Sequence, residues 1–199
     1  MKKIFAFLMG LMLVLGVNSC KCTSDVPVED DKLVVETLVE ADRQDVVDNY
    51  VNENASYLWF ETCVSLTDFL DEDGDHAIKS VSNIFQVVEE NEEGADTQVI
   101  LYSHTADTSA VDVRHTFWVE DKPLNDVEMT LTFEEALERV FEVNLPKPHS
   151  KQAVLRKELG PNDANPQWIF GNKEAQIYVD AVTGDASDVN PVFPEGKAE

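Results

Sequence analysis

The most informative segment of the sequence is Met129-Thr-Leu-Thr-Phe-Glu-Glu-Ala-Leu-Glu-Arg-Val-Phe-Glu-Val143. Thr132 stands three residues before Glu135, which is the spacing of a capping box at a helix start. Apolar residues then recur at the spacing of one helix face: Phe133, Ala136, Leu137, Val140 and Phe141. Because Pro146 and Pro148 follow, we predict a short amphipathic helix that ends before them.

Three strand-like runs follow this helix, at residues 151–159, 166–171 and 174–182. In the last run, Ile177, Val179 and Ala181 alternate with Gln176, Tyr178 and Asp180, the period-two pattern of a half-buried strand. The pattern predicts one helix followed by a three-stranded antiparallel meander, with the helix covering one face of the sheet.

Two short motifs in this region resemble the PepSY domain. They are Thr132-Phe-Glu-Glu-Ala-Leu137 in the helix and Tyr178-Val-Asp-Ala-Val-Thr-Gly-Asp185 at the end of the last strand. Gly184 suits the positive φ that a tight turn requires. The resemblance covers about a quarter of the chain. It implies a cell-envelope location and a protein-binding role, of which inhibition of a peptidase is one form.

The N-terminus has the pattern of an export signal. Lys2 and Lys3 precede the apolar run 4–17, which is shorter than the about 20 residues of a membrane-spanning helix. The ending Gly16-Val-Asn-Ser-Cys20 resembles a bacterial lipobox, so residues 1–19 are predicted to be a lipoprotein signal peptide and Cys20 the site of lipid attachment. The alternative is ordinary cleavage with Cys20 structural. Residues 20–32 are predicted to be an acidic tether. The residue after the lipidated cysteine is Lys21 and not the aspartate that favours inner-membrane retention in enterobacterial lipoproteins, so the outer membrane is predicted.

The chain is strongly acidic, with 15 basic and 39 acidic residues and a net charge of −24. Removal of the signal takes away Lys2 and Lys3 and no acidic residue, which brings the net charge to about −26. Such a surface argues against a nucleic-acid partner, since phosphates require Lys and Arg. Anionic headgroups also repel it, so membrane association is predicted to depend on the lipid.

The first half of the chain is predicted to repeat the pattern of the second. Apolar residues at helical spacing predict one long helix over residues 42–70, although the β-formers at 56–66 leave a strand open as the alternative. Strands are predicted at 78–89, 98–104 and 111–120. The fold class is therefore α+β, with helices on one face of an antiparallel sheet. We predict two PepSY-like α-βββ units, 33–128 and 129–190, similar to β-lactamase-inhibitor folds, and a tail at 191–199. The alternative is a single α+β sheet.

No catalytic motif emerges from the sequence, so the protein is predicted not to be an enzyme. The run Asp71-Glu-Asp-Gly-Asp75 lacks the glycine and glutamate spacing of a calcium loop, and no metal or cofactor is predicted. His104 and His115 lie on neighbouring predicted strands but not opposite each other, so each is interpreted as an ordinary sheet histidine. Cys63 is predicted to be a small buried side chain on the helix face, with pairing to Cys22 as the less favoured alternative.

The candidate binding surface is aromatic. If the helices cover the face that carries Val99, Leu101, Val113, Phe117, Ile177 and Val179, the other face presents Tyr102, Trp118 and Tyr178 as anchors for a partner. The alternative is that these rings pack internally. The leading hypothesis is a lipid-anchored, non-enzymatic envelope protein that binds another protein. The alternatives are a structural or assembly subunit and a hydrolase without recognisable motifs.

Overall fold

A computed structural model describes residues 32–91, 94–119 and 121–194. Within these ranges it contains two α-helices and nine β-strands. The helices are α1 (Val35–Asn49) and α2 (Phe133–Glu142). The strands are β1 (Ala55–Leu66), β2 (Ile78–Asn91), β3 (Gly94–Thr105), β4 (Ser109–Arg114), β5 (Asp121–Lys122), β6 (Gln152–Glu158), β7 (Gln167–Gly171), β8 (Gln176–Asp180) and β9 (Ala186–Ser187).

All nine strands belong to one sheet, and every pairing is antiparallel. The order is β4-β3-β2-β1-β6-β7-β8-β9, and β5 pairs with the end of β6 beyond β1. From the central β1–β6 pair, each half of the sheet runs outward in chain order. The α+β class with an antiparallel sheet is confirmed, and sheet predominates over helix.

The predicted long helix over residues 42–70 is wrong. Helix α1 ends at Asn49 and the chain turns before β1, so the strand alternative is correct. The turn is fixed by Asn52, whose side-chain oxygen accepts the backbone N–H of Asn54 at 2.8 Å and whose carbonyl accepts that of Ala55 at 3.1 Å. Asparagine favours such turns because its side chain competes with the helix for backbone groups.

One sheet face is covered by both helices and carries the core. The largest fully buried side chains include Phe85, Phe133, Trp168, Phe170, Ile100 and Ile177. Ile177 and Val179 lie on this face as predicted. On β3 the prediction is reversed, because Tyr102 and not Val99 or Leu101 points towards α1. The cause is polar: the Tyr102 hydroxyl donates to Asp45 of α1 at 2.6 Å.

The predicted strand over 111–120 is too long, because β4 ends at Arg114. Every residue of β4 is exposed, and beyond it Phe117 is 67% exposed, so the prediction of Phe117 as a core residue is wrong. After β4 the chain leaves the sheet edge. The backbone N–H of Trp118 then donates to the side-chain oxygen of Gln86 on β2 at 2.6 Å.

The second half matches its prediction closely. Helix α2 begins with the predicted capping box, in which Thr132 and Glu135 each accept the other's backbone N–H. Strands β6, β7 and β8 lie within the three predicted runs. In the terminal turn, Gly184 has a φ of +80° and its N–H donates to the Asp180 carbonyl at 2.9 Å.

The predicted signal peptide, the lipid-attachment residue Cys20 and the tether up to residue 31 lie outside the described residues, as do 195–199 of the predicted tail. In the ranges that are described, neither helix has the length and apolar character needed to cross a membrane.

Candidate functional site

Helix α2 carries two side-by-side rows of side chains at a spacing of four residues. Phe133, Leu137 and Phe141 form an apolar row, and Glu134 and Glu138 form an acidic row next to it. Phe133 is buried, Leu137 is half-buried and Phe141 is 43% exposed. The sheet is covered mainly by Ala136, Val140 and Phe133, so the outer part of the apolar row is left for another contact.

The loop between β1 and β2 faces these rows and is held in an ordered shape. Its ends are joined by a hydrogen bond from Thr67 N–H to the Ala77 carbonyl at 2.9 Å. The Phe69 ring stacks on His149 with centroids 3.9 Å apart, and Lys151 Nζ lies 4.5 Å from its centroid. A Cβ on Gly74 would come within 2.6 Å of Asp68 Cβ, so glycine permits the loop to fold back on itself.

His76 stands in this loop at the contact with α2. It has a φ of 48° and is the one non-glycine residue with positive φ in the described part of the chain. Its Nε2 lies 3.0 Å from the Phe69 carbonyl oxygen, and its ring packs on Phe141 with centroids 4.8 Å apart. Backbone of this kind costs about 1–3 kcal/mol and clusters at functional sites.

Helix α2 and the loop together enclose an open groove of about 720 Å³. Its lining is an apolar floor with a mainly acidic rim: Lys32, Asp75, His76, Ala77, Ile78, Phe133, Glu134, Leu137, Glu138 and Phe141. The one basic rim residue, Lys32, places its Nζ 2.6 Å from Glu134 Oε1. This hydrogen bond and the Glu134 charge raise the pKa of Lys32. The groove therefore combines an apolar floor with carboxylates and one ammonium group on its rim.

Apart from the groove, a buried cluster of polar side chains lies under α1. The Asp42 carboxylate is 2.9 and 3.0 Å from His104 Nε2, and it accepts a hydrogen bond from Asn83 Nδ2 at 2.7 Å. Thr62 Oγ1 donates to Asn83 Oδ1 at 2.6 Å. Because one helix residue and residues of three strands share these bonds, the cluster fixes α1 on the sheet.

His104 also extends this cluster to the surface, since its Nδ1 lies 2.9 Å from Ser109 Oγ. Ser109, His104 and Asp42 are the residue types of a nucleophilic triad. Ser109 is exposed on the edge strand β4, and it lines neither the α2 groove nor the smaller groove beside Cys63. The interpretation of His104 as an ordinary sheet histidine missed its buried carboxylate partner.

Cys63 lies on β1, on the face opposite the helices, so its predicted place on a helix is wrong. Its Sγ donates to Glu61 Oε1 at 2.9 Å, and Arg156 pairs with Glu61, Asp121 and Glu158 beside it. Burial, and then the Glu61 charge, raise the pKa of the Cys63 thiol. A raised pKa makes a thiol a weaker nucleophile at neutral pH. Cys22, its alternative partner, lies outside the described residues.

The three predicted aromatic anchors do not form one surface. Tyr102 is buried at 3% exposure under α1, and Tyr178 is buried at 6% exposure on the opposite face of β8. Strands β2, β1, β6 and β7 separate them in the sheet. Trp118 lies outside β4, and its indole N–H donates to Asp121 Oδ2 at 3.2 Å. A partner-binding role stays a prediction for Trp118, the only one of the three that is not buried.

His115 lies beyond β4, 3.7 Å from Asp96, and is not joined to His104. Among the residues that the structure describes, no group of three His, Cys, Asp or Glu side chains converges as a metal site. The aspartates of the 71–75 loop therefore do not form such a group either.

Comparison of the chain with family models, curated protein sequences and solved structures gives no match. The candidate site therefore depends on the geometry alone.

Proposed function

We propose that this protein is a lipid-anchored, non-enzymatic protein of the bacterial outer membrane that binds another protein through the α2 groove. The observation that carries the proposal is the combination of a partly exposed apolar row with a strained, hydrogen-bonded histidine in one open groove. An exposed aromatic such as Phe141 beside a concave apolar surface is a typical partner anchor. Inhibition of a peptidase is the specific form of binding that the PepSY resemblance implies.

The sheet topology supports two PepSY-like units, 33–128 and 129–190. Each half has one helix followed by four strands that pair in chain order, and the halves meet at β1 and β6. The short strand β5 of the first half is the exception, because it pairs with β6. The motif Asp180-Ala-Val-Thr-Gly184 supports the same assignment, because Asp180 Oδ1 accepts the N–H groups of Val182 and Thr183, both at 2.9 Å. In this proposal the binding groove combines α2 of the second unit with the β1–β2 loop of the first.

Capture from envelope extracts tests the binding role. The full-length chain is compared with Phe141→Asp, which places a charge on the groove floor, and with Val47→Asp, a control on α1. Phe141 and Val47 are 43% and 40% exposed, so both variants should keep the wild-type melting temperature to within a few degrees. We expect the captured protein to be lost with Phe141→Asp only. Equal capture by both variants would remove the groove from the proposal.

Cell fractionation of Cys20→Ser tests the anchor separately. The variant lacks the thiol that receives the lipid, so we expect the protein to leave the membrane fraction. Retention of Cys20→Ser in the membrane pellet would contradict the lipoprotein assignment.

A hydrolase is the second candidate, and the Ser109–His104–Asp42 chain is the observation that favours it. Its test is covalent labelling with a fluorophosphonate probe, which reacts with activated serines. We expect no labelling, since a histidine that bridges a helix and a sheet already has a structural role. Labelling of the wild type that disappears in Ser109→Ala would establish the hydrolase instead.

A further inference from the structure

We propose that the α2 groove takes a basic peptide segment with alternating apolar residues, and that Lys32 occupies the place of one of its cationic side chains until the partner displaces it. This inference rests on the proposed protein-binding function and names the chemistry of the partner.

The ion pair between Lys32 and Glu134 shows that an ammonium group fits the rim of the groove. Lys32 Nζ lies 2.6 Å from Glu134 Oε1, and the Asp75 charge acts on the same ammonium. Both side chains of the pair are more than half exposed, at 64% and 58%. An ion pair this exposed is screened by solvent and contributes little to stability, so a competing cation can replace it at little cost.

The two rows of α2 define what else the segment must carry. Side chains at i and i+4 on a helix are about 6 Å apart. In an extended peptide, side chains on the same side are about 6.6–6.8 Å apart, and successive side chains point to opposite sides. A strand of alternating basic and apolar residues laid along α2 therefore places cations on Glu134 and Glu138 and apolar groups on Leu137 and Phe141.

The charge of the chain selects the same class of partner. The sequence has a net charge of −24. Three of its acidic residues, Asp75, Glu134 and Glu138, lie on the rim around the apolar floor of the groove. An acidic segment would be repelled on approach, whereas a basic one is attracted at long range.

The experiment is a fluorescence-anisotropy titration with the full-length chain in phosphatidylcholine nanodiscs at low salt. The probe is the labelled peptide acetyl-Lys-Leu-Lys-Leu-Lys-amide, and the comparison peptide has Gln in place of each Lys. We expect the Lys peptide to bind at least about fivefold more tightly than the Gln peptide, since it forms ion pairs with the rim carboxylates that the Gln peptide cannot form. We expect Glu138→Gln to weaken Lys-peptide binding about two- to fivefold, and its control Glu174→Gln, at an exposed site outside the groove, to leave it unchanged.

The decisive variant is Lys32→Ala. Because it removes the internal competitor, we expect the Lys peptide to bind about two- to fivefold more tightly than to the wild type. Lys79→Ala removes the same charge at an exposed position outside the groove and serves as the matched control. If the two variants change peptide binding equally, the proposal that a cationic side chain of the partner displaces Lys32 is wrong.

Other outcomes separate this inference from the proposed function. If the Gln peptide binds as tightly as the Lys peptide, the basic-partner inference is wrong and the binding groove stands. If neither peptide binds the wild type or Lys32→Ala, the inference is also wrong, and the capture comparison of Phe141→Asp with Val47→Asp decides the binding function on its own.

Discussion

Helices α1 and α2 lie on the same face of one sheet but are held there by different interactions. Helix α1 has no side-chain hydrogen bond at its N-cap, Val34, and buries Asp42 among its valines. Helix α2 has a complete capping box and packs Phe133 against Trp168 and Phe170, with centroids 5.1 and 6.0 Å apart. Helix α1 therefore adds a directional polar cluster to the packing of its valines, whereas α2 is fixed by aromatic packing at its inner side.

This difference bears on the proposed function. Because α2 is held by aromatic packing at Phe133, the outer part of its apolar row, Leu137 and Phe141, is left available for a partner. The polar cluster under α1 engages the helix through Asp42, and Asp45 adds the bond to Tyr102. The two helices are also linked, since Glu36 of α1 accepts the backbone N–H of Phe133 at 2.6 Å. A carboxylate at this place stabilises the N-terminus of α2.

The largest expected effect on stability comes from removing the aromatic packing that holds α2. Phe133→Ala removes a side chain that is 1% exposed and leaves a cavity against Trp168, so we expect a loss of about 4 kcal/mol in the free energy of unfolding. Val46→Ala is the equivalent change in α1 and should cost about 2 kcal/mol. Chemical denaturation measures both, and equal losses would remove the special weight of Phe133.

The second prediction tests the polar side. Asp42→Ala leaves His104 and Asn83 buried without their shared acceptor, so we expect a loss of about 3 kcal/mol. In a double-mutant cycle with His104→Ala, the two losses should be non-additive by at least about 1 kcal/mol. Additive losses would mean that Asp42 and His104 act independently and that no shared cluster holds α1.

The third and smallest effect sharpens the role of Tyr102. Tyr102→Phe removes the hydrogen bond to the Asp45 carboxylate and should cost about 1.5 kcal/mol at pH 7. Burial, and then this hydrogen bond, raise the pKa of Tyr102 above its ordinary value of 10.0. A raised folded-state pKa gives stability that is complete below pH 10 and is lost as the pH rises towards the folded value.

We therefore expect the wild type to lose stability above pH 10 more steeply than Tyr102→Phe does. Urea denaturation at pH 7 and at pH 10.5 measures the two slopes. Tyr57→Phe makes the same substitution while leaving Tyr102 in place, and serves as the matched variant with which the change of slope is compared. A Tyr102→Phe slope equal to that of the wild type would show that Tyr102 does not carry the alkaline loss.

The second half was predictable from the sequence because its signals are local. The capping box at Thr132 and Glu135, the alternation in β8 and the glycine at 184 each depend on residues within a few positions of one another. The break between α1 and β1 was missed because the apolar spacing of α1 continues through Val47, Tyr50 and Val51 into a run of β-formers. The turn at Asn52 interrupts that spacing without a glycine or proline.

The orientation of β3 was missed because its cause is non-local. Alternation divides a strand into two faces but does not say which face a helix covers. Tyr102 faces α1 because its hydroxyl bonds to Asp45, 57 residues away, and His104 bonds to Asp42 across 62 residues. Nothing in the pattern of β3 indicates these partners.

Half of the candidate site was visible in the sequence. The apolar stripe of α2 was identified, and Leu137 and Phe141 make it broader than the sheet covers. For the opposite wall, the sequence offers only the acidic run Asp71-Glu-Asp-Gly-Asp75, which lacks the spacing of a calcium loop. The positive φ of His76 and its contact with Phe141 depend on a loop shape that is fixed by contacts with the 149–151 segment, which lies far away in the sequence.

Site-specific photo-crosslinking shows directly whether the α2 groove is the surface that contacts a partner. Benzoylphenylalanine is placed at Phe141 in one variant and at Val47 in another, two positions of nearly equal exposure on α2 and α1. Cells that produce each variant are irradiated, and adducts are detected by immunoblotting and identified by mass spectrometry. We expect a discrete protein adduct at Phe141 and none at Val47. A discrete adduct at Val47 with none at Phe141 would contradict this expectation.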